Sequence, residues 1–367
     1  MANTVCNEAK TLPISHRAAV YDCPGSISTK IIELKTPEPG VGEVLIRLTH
    51  SGVCHSDLGV MTQSWDVLPH PTPKGQVGGH EGVGEVVKIG PGVPEGRVKI
   101  GSRVGVKWVA KVCNNCAACL EQADGVCFGR SISGYFTPGT FQQYVAGPAD
   151  YVTPIPDGLS SADAAPMLCA GVTMYAALQK SNAIGGDWVA ISGAGGGLGH
   201  IGVQIAARGL GLRVIGIDHG SKEELVKESG AELFLDITKF DPSSMVREVQ
   251  ASTDGLGCHA VIVCTASNKA YEQSLELLRF GGTVVCVGVP EGVSIPIASA
   301  KPAHLISSQL NIVAVSVGNR KDAKAVLDMA ARGIVKTKYT VESLDNLTDV
   351  FERMSKGQLQ GRVVINL

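Results

Sequence analysis

The first third of the chain is a series of short apolar stretches separated by Gly and Pro. EVLIRLTH at 43–50, GVGEVVKI at 82–89 and RVGVKW at 103–108 mix β-branched residues with polar ones, which predicts strands. Pro and Gly between them predict turns, and together they read as an all-β, barrel-like unit. Near residue 160 the period changes. SADAAPMLCAGVTMYAALQ at 161–179 spaces its apolar residues for a helix, with Ser and Asp placed to cap its start. Strands and helices then alternate. They run as WVAIS at 188–192, a helix after Gly199, RVIGID at 213–218, a helix through KEELVKES, AVIVCT at 260–265, a helix through KAYEQSLELLRF and TVVCVGV at 283–289. Strands that are apolar throughout, alternating with helices, predict a parallel, doubly wound α/β sheet. NIVAVSV at 311–317 adds a strand, and amphipathic helices follow around 321–332 and 345–356. The closing RVVINL is a strand that can rejoin the first unit.

Composition bounds the function. The 367 residues are 44% hydrophobic and 18% charged, enough for two or three well-packed domains. A net charge of −2 gives no electrostatic case for nucleic acid or an acidic membrane surface. No apolar run reaches the ~20 residues of a transmembrane helix. MANTVCNEAKTLPISHR holds no apolar signal core and VVINL matches no retention or peroxisomal address, so a cytoplasmic location is expected. Eleven cysteines without a secretion signal point to metal ligands and free thiols rather than a disulfide framework.

Four of those cysteines are concentrated as Cys113-x2-Cys116-x2-Cys119-x7-Cys127. Thiolates at such intervals can converge on one tetrahedral ion, and four of them leave no open position. The pattern favours a closed, structural zinc site over an iron–sulfur cluster or two disulfides. Cys6, Cys23, Cys258, Cys264 and Cys286 have no such pattern and read as packed thiols.

ISGAGGGLGHIG at 191–202 lies between a predicted strand and a predicted helix. Gly193, Gly195, Gly196, Gly197, Leu198 and Gly199 would let the backbone turn tightly and approach a pyrophosphate at a helix N-terminus. The spacing is one residue longer than the strict G-x-G-x-x-G pattern. Asp218, at the end of the next predicted strand, would accept hydrogen bonds from an adenosine ribose and repel a 2′-phosphate. NAD is therefore expected over NADP, a preference that His219 and Lys222 could soften.

A second metal site is suggested by Cys54-His55-Ser56-Asp57, Gly79-His80-Glu81 and Cys169. Two thiolates and one imidazole leave an open fourth position on zinc, as catalysis requires. Each residue has an ordinary reading too: a thiol in an apolar helix, a histidine in a turn. SGVCHSDL, VGGHEG, the cysteine quartet, SGY…GTFQQY, APMLCAGVT, AISGAGGGLG, SVGNR and the terminal GRVV occur in this order. Taken together they resemble the zinc-dependent alcohol dehydrogenases of the medium-chain dehydrogenase/reductase superfamily, most closely the yeast and filamentous-fungal branch, across residues 30–367.

The resemblance implies a GroES-like, β-rich catalytic domain at 1–170 and 316–367, with the zinc lobe at about 109–130, and a Rossmann domain at 171–315. It implies two zinc ions per chain, NAD, a small alcohol, aldehyde or ketone as substrate, and a homotetramer or homodimer. By position it makes Cys54, His80 and Cys169 ligands of a catalytic zinc, with Glu81 able to join them. Asp57 orients the ligating histidine, and Ser56 hydrogen-bonds the alcohol. Cys113, Cys116, Cys119 and Cys127 hold the structural zinc. His55 and Arg362 meet the pyrophosphate, while Thr173, Lys222 and Val289 meet the cofactor. Trp65, Trp108 and Val289 line the substrate pocket.

The chain departs from that branch at Gly59, where a histidine normally relays the alcohol proton. Glycine cannot carry a proton. Water, or His70 from the lengthened loop WDVLPHPTPKGQVGG, is expected to substitute, and a histidine restored at 59 is expected to speed alcohol oxidation near neutral pH. Two other functions compete with the leading one: a biosynthetic NAD(P)H-dependent carbonyl reductase with a bulkier substrate, and a non-catalytic zinc-bearing scaffold.

Overall fold

The computed structural model describes residues 12–66, 68–293 and 295–367; Cys6 and most of the N-terminal segment lie outside them. Two large sheets organise the chain. One is parallel throughout, with spatial order Leu233–Asp236, Arg213–Asp218, Trp188–Ser192, Cys258–Val263, Leu278–Cys286 and Asn311–Ala314. In chain order this is the 3-2-1-4-5-6 arrangement of a Rossmann sheet. Its switch point falls between Trp188–Ser192 and Cys258–Val263, where connections diverge and leave a crevice at the strands' carboxyl ends. Val189, Ile191, Val214, Ile262 and Val285 are buried between this sheet and its helices.

The other sheet runs Tyr339–Ser343, Arg362–Asn366, Glu43–Val53, Gly82–Ile89, Arg103–Val106 and Thr153–Pro154, with Tyr144–Pro148 also paired to Glu43–Val53. The last strand of the chain does rejoin the first unit: Val363 pairs with Val53, and Asn366 with His50. The N-terminal hairpin of Ser15–Tyr21 with Thr29–Lys35, the strand Leu233–Asp236 and the helix Pro242–Ser252 were not anticipated. The last had a readable start, an Asp241 cap followed by Pro at the first helical position.

Three predicted elements differ in ways that matter. The helix expected at 161–179 is interrupted, because Pro166 lacks the N–H that a continuous helix needs. It becomes Ser161–Ala164, a tight turn at Ala165–Leu168 and the helix Ala170–Lys180. Cys169 sits at the break with φ −127° and ψ −69°, outside helical geometry. The helix through KAYEQSLELLRF stops at Leu277, and its final residues begin the strand Leu278–Cys286. The strand expected at 311–317 ends at Ala314, where the chain crosses toward the other sheet.

Candidate active site

The helix His55–Thr62 starts where Cys54 leaves the strand Glu43–Val53. Asp57, in the third helical position, accepts the Cys54 backbone N–H through Oδ2 at 2.9 Å, closing a capping box. Its Oδ1 accepts from His80 Nδ1 at 2.8 Å, which fixes the imidazole tautomer and leaves Nε2 as a bare acceptor. Gly79 delivers His80: its φ is +92°, and a Cβ there would meet Thr140 Oγ1 at 2.7 Å. Gly52 makes room for Glu81, whose Oε2 would lie 2.0 Å from an added Cβ.

Cys54, His80, Glu81 and Cys169 are all buried, with one ligand atom from each lying within 4.8 Å of the others. The Cys54 and Cys169 sulfurs are 4.0 Å apart. Two Zn–S bonds of ~2.3 Å at a tetrahedral angle place sulfurs ~3.8 Å apart, so the pair suits a shared ion. His80 Nε2 and Glu81 Oε2 are buried without any hydrogen-bond partner, as donor atoms awaiting a cation would be. The hydrogen bond from the Cys169 thiol draws the Cys54 pKa well down, against its burial. Burial pushes Glu81 up to about 7, opposed by Arg362, with which it forms a buried ion pair. The donor set fits zinc.

The cysteine quartet also converges, with its four sulfurs within 4.8 Å of one another and pairs at 3.5, 3.7, 3.8 and 3.9 Å. These separations fit one tetrahedral ion and are far longer than the ~2.05 Å of a disulfide. Backbone N–H groups of Phe128 and Cys119 pull the Cys116 thiol down to about 6, favouring the thiolate. The lobe is fastened on two sides. Asp124 accepts from the Tyr151 hydroxyl at 2.9 Å and faces Arg320, while Asn319 donates to Gln122 O at 3.0 Å.

A cavity of about 370 Å³ joins the two sheets. Cys54, His55, Ser56, Trp65, Leu198, Asp218, Lys222, Val289, Arg362 and the glycines at 193, 196, 197 and 199 line it. The glycine loop is packed too tightly for side chains: a Cβ on Gly199 would sit 2.0 Å from Gly193 O, and one on Gly197 3.0 Å from Arg362 Cδ. Gly195 does not line the cavity; its N–H donates to Asp218 Oδ2 at 2.8 Å, which aims that carboxylate. The buried Arg362 keeps its Nε unpartnered. This glycine cradle, with the Asp218 carboxylate and the Arg362 guanidinium in the cavity wall, fits a dinucleotide.

Not every predicted residue faces the cavity. Thr173 is buried in the helix Ala170–Lys180, one turn after Cys169, and Trp108 stands behind His80, edge to face at 4.8 Å. His55 does face it, and its Nε2 lies 2.7 Å from Glu291 Oε1 across the cleft. His70 is exposed and outside the lining, its backbone bound to the Tyr135 hydroxyl. The space beside Gly59 is occupied: a Cβ there would meet Trp65 Cε2 at 2.8 Å and Nε1 at 2.9 Å. A histidine therefore cannot be restored at 59 without displacing the indole. Sequence reasoning missed Thr265 and Gly288 in the lining. Both follow the carboxyl ends of parallel strands, a position that marks ligand crevices in such sheets. Leu359, also in the lining, carried no signal.

Residues 40–157 match the family described as alcohol dehydrogenase GroES-like domain, and residues 197–332 match zinc-binding dehydrogenase. Alcohol dehydrogenase 2 of Emericella nidulans is 58% identical, over 98% of this chain and 99% of that protein. An alcohol dehydrogenase of Schizosaccharomyces pombe is 41% identical, over 97% and 99%. Among solved structures, the acetophenone reductase of Geotrichum candidum in complex with NAD superposes with a TM-score of 0.82 at 27% identity, covering 97% of this chain and 98% of that one. The alcohol dehydrogenase of Aeropyrum pernix gives 0.83 at 28% identity, covering 96% and 100%. Sequence, fold and buried donor set converge, and the chain belongs to the zinc-dependent alcohol dehydrogenase family, a GroES-like unit joined to a Rossmann unit.

Proposed function

We propose that this oxidoreductase interconverts an alcohol and its aldehyde or ketone at the Cys54–His80–Cys169 cluster, with NAD as the hydride carrier. The observation that carries this reading is the buried donor set beside a cavity shared with the glycine loop. A zinc ion held by Cys54, His80 and Cys169 would supply the Lewis acidity that lowers the pKa of a bound alcohol. The nicotinamide of the cofactor would supply the hydride chemistry.

The chain's own residues do the rest. Asp57 holds His80 in the tautomer that presents Nε2 and holds Cys54 by its backbone, so one carboxylate aligns two ligands. Ser56 Oγ lies 3.6 Å from Cys54 Sγ and lines the cavity, suited to accept the alcohol's proton. With Gly59 covered by Trp65 and His70 exposed elsewhere, water in the cavity is the carrier of that proton to solvent. Arg362 balances Glu81 on one side and lines the cavity on the other, where a pyrophosphate would meet its guanidinium charge. Asp218 favours an unphosphorylated ribose, hence NAD over NADP.

The same reading gives the quartet a second, structural zinc. It divides the chain into 1–170 with 316–367 and 171–315, a division supported by the two sheets. The family resemblance implies a homotetramer or homodimer, and the edge strand Asn311–Ala314, with Ile312 exposed on it, is the surface assigned to that pairing. Unlinked cysteines, among the described residues, support a reducing, cytoplasmic setting. Among the described residues no helix is long and apolar enough to cross a membrane. The test is a screen of primary, secondary and aromatic alcohols with NAD and NADP, beside metal analysis. Reduced nicotinamide forming faster with NAD, on protein holding two zincs, is the expected result; no turnover on any alcohol or carbonyl would overturn it.

A further inference from the structure

The helix that follows the glycine loop carries two buried polar side chains that the reaction itself does not use. His200 and Gln204 lie in Gly199–Gln204 and are 0% and 3% exposed. His200 Nδ1 donates to Gly196 O, inside the loop, at 2.8 Å. Its Nε2 therefore carries the lone pair, and it accepts the Lys338 backbone N–H at 3.3 Å. Lys338 O in turn accepts the backbone N–H of Arg362 at 2.8 Å. One turn further along the helix, Gln204 donates to Lys336 O at 2.9 Å and accepts from Lys336 N at 2.9 Å, as a neighbouring strand would.

We propose that His200, seconded by Gln204, is a positioning residue for the dinucleotide, clamping the glycine loop to the backbone that carries Arg362. The inference rests on the cofactor reading above and extends it. Without the clamp, the two faces of the pyrophosphate site belong to different sheets and can drift apart. With it, they form one preorganised unit, so the cofactor need not order them on binding. The close approach of Gly197 to Arg362 leaves no slack in that register. The groups around the imidazole agree. Burial, then Arg362, Lys338 and Lys222, lower its pKa to about 4 against the Gly196 hydrogen bond, so it stays neutral. A protonated ring would turn a second N–H toward the Lys338 N–H and lose that contact.

The experiment is an NADH fluorescence titration of the zinc-loaded protein, its His200→Leu, His200→Gln and Gln204→Met variants, with hydrogen exchange of the 336–338 amides. His200→Leu is expected to weaken NADH at least about tenfold and to speed exchange at Lys338. His200→Gln, which can both donate and accept, is expected to recover most of that affinity. An affinity within about twofold of wild type for His200→Leu, or a glutamine variant as weak as the leucine one, would overturn the proposal. Should His200→Leu fail to fold, Gln204→Met decides: weaker NADH with faster Lys336 exchange supports the clamp, and unchanged affinity overturns it. A wild-type protein that binds no NADH would overturn the cofactor reading instead.

Discussion

Asp57 ties the start of a helix to the geometry of a metal site. One oxygen caps Cys54 and the other orients His80, so local folding and ligand alignment depend on the same carboxylate. Asp57→Asn keeps the shape but removes the charge, and it is expected to weaken zinc binding about 10- to 100-fold in a chelator competition. Gly59 gives an opposite lesson. Its missing side chain reads from the sequence as a lost relay, yet the space it leaves is filled by Trp65. That indole also packs on Trp108, which in turn packs on His80. Gly59→His is therefore expected to lower kcat/KM for alcohol about 10- to 100-fold, through a displaced pocket wall. A pH–rate profile checks this; a faster enzyme near neutral pH would show that the indole yields freely. The ligands were legible because Cys and His at family spacings are rare. The Gly59–Trp65 contact was not, because nothing in a sequence says which side chain lies against a glycine.

Among the elements, the helix Gly199–Gln204 and the zinc lobe each reach a distant part of the chain by hydrogen bonds, the helix to Lys336 and Lys338 and the lobe to Ser316 and Asn319. Burial holds the His200 pKa at about 4, against an ordinary 6.5. As pH falls through that window, the unfolded chain takes up a proton that the folded chain refuses, so stability falls with pH. The contribution is fully present above the ordinary imidazole pKa, and the loss approaches roughly 3 kcal/mol as pH falls through the folded value. His200→Gln is expected to flatten this slope, read from urea midpoints of zinc-loaded protein between about pH 7 and about pH 5. The lobe makes a separate prediction. Cys116→Ser removes one of four thiolates, and it is expected to release one zinc per chain and lower Tm while the Cys54 cluster keeps its own. Metal analysis beside a thermal melt checks this. Helix and strand periods revealed most of these elements. They missed the break at Pro166 that presents Cys169, because the apolar spacing runs on through the proline. They also passed over the hairpin Ser15–Tyr21 with Thr29–Lys35, whose second strand, TKIIELK, mixes charged and apolar residues with no continuous apolar run.

The whole molecule places its chemistry between two sheets. The parallel order 3-2-1-4-5-6 opens a crevice at its switch point, and the returning strand Arg362–Asn366 brings a cation from the far end of the chain to its rim. The alternation of strands and helices foretold that crevice. The return of the last strand was foreseen as possible, but its pairing with Val53, and hence the meeting of Arg362 with Glu81, is a tertiary outcome. At the outer edge of the parallel sheet, Ile312 is exposed on the edge strand and Ile306 on the preceding helix. On the proposed pairing through this edge, Ile312→Lys is expected to shift the protein to a smaller species in size-exclusion chromatography, since a charged edge opposes strand pairing.

Oxidation of an alcohol at the buried cluster of Cys54, His80 and Cys169, as proposed, needs the thiolate presented at the helix break. The most direct measurement is the rate at which wild-type protein and Cys169→Ser form reduced nicotinamide from one alcohol, at equal structural-zinc content. Turnover by the wild type and a loss of at least about 1,000-fold in the variant are expected. A variant within about tenfold of wild type would place the oxidation elsewhere.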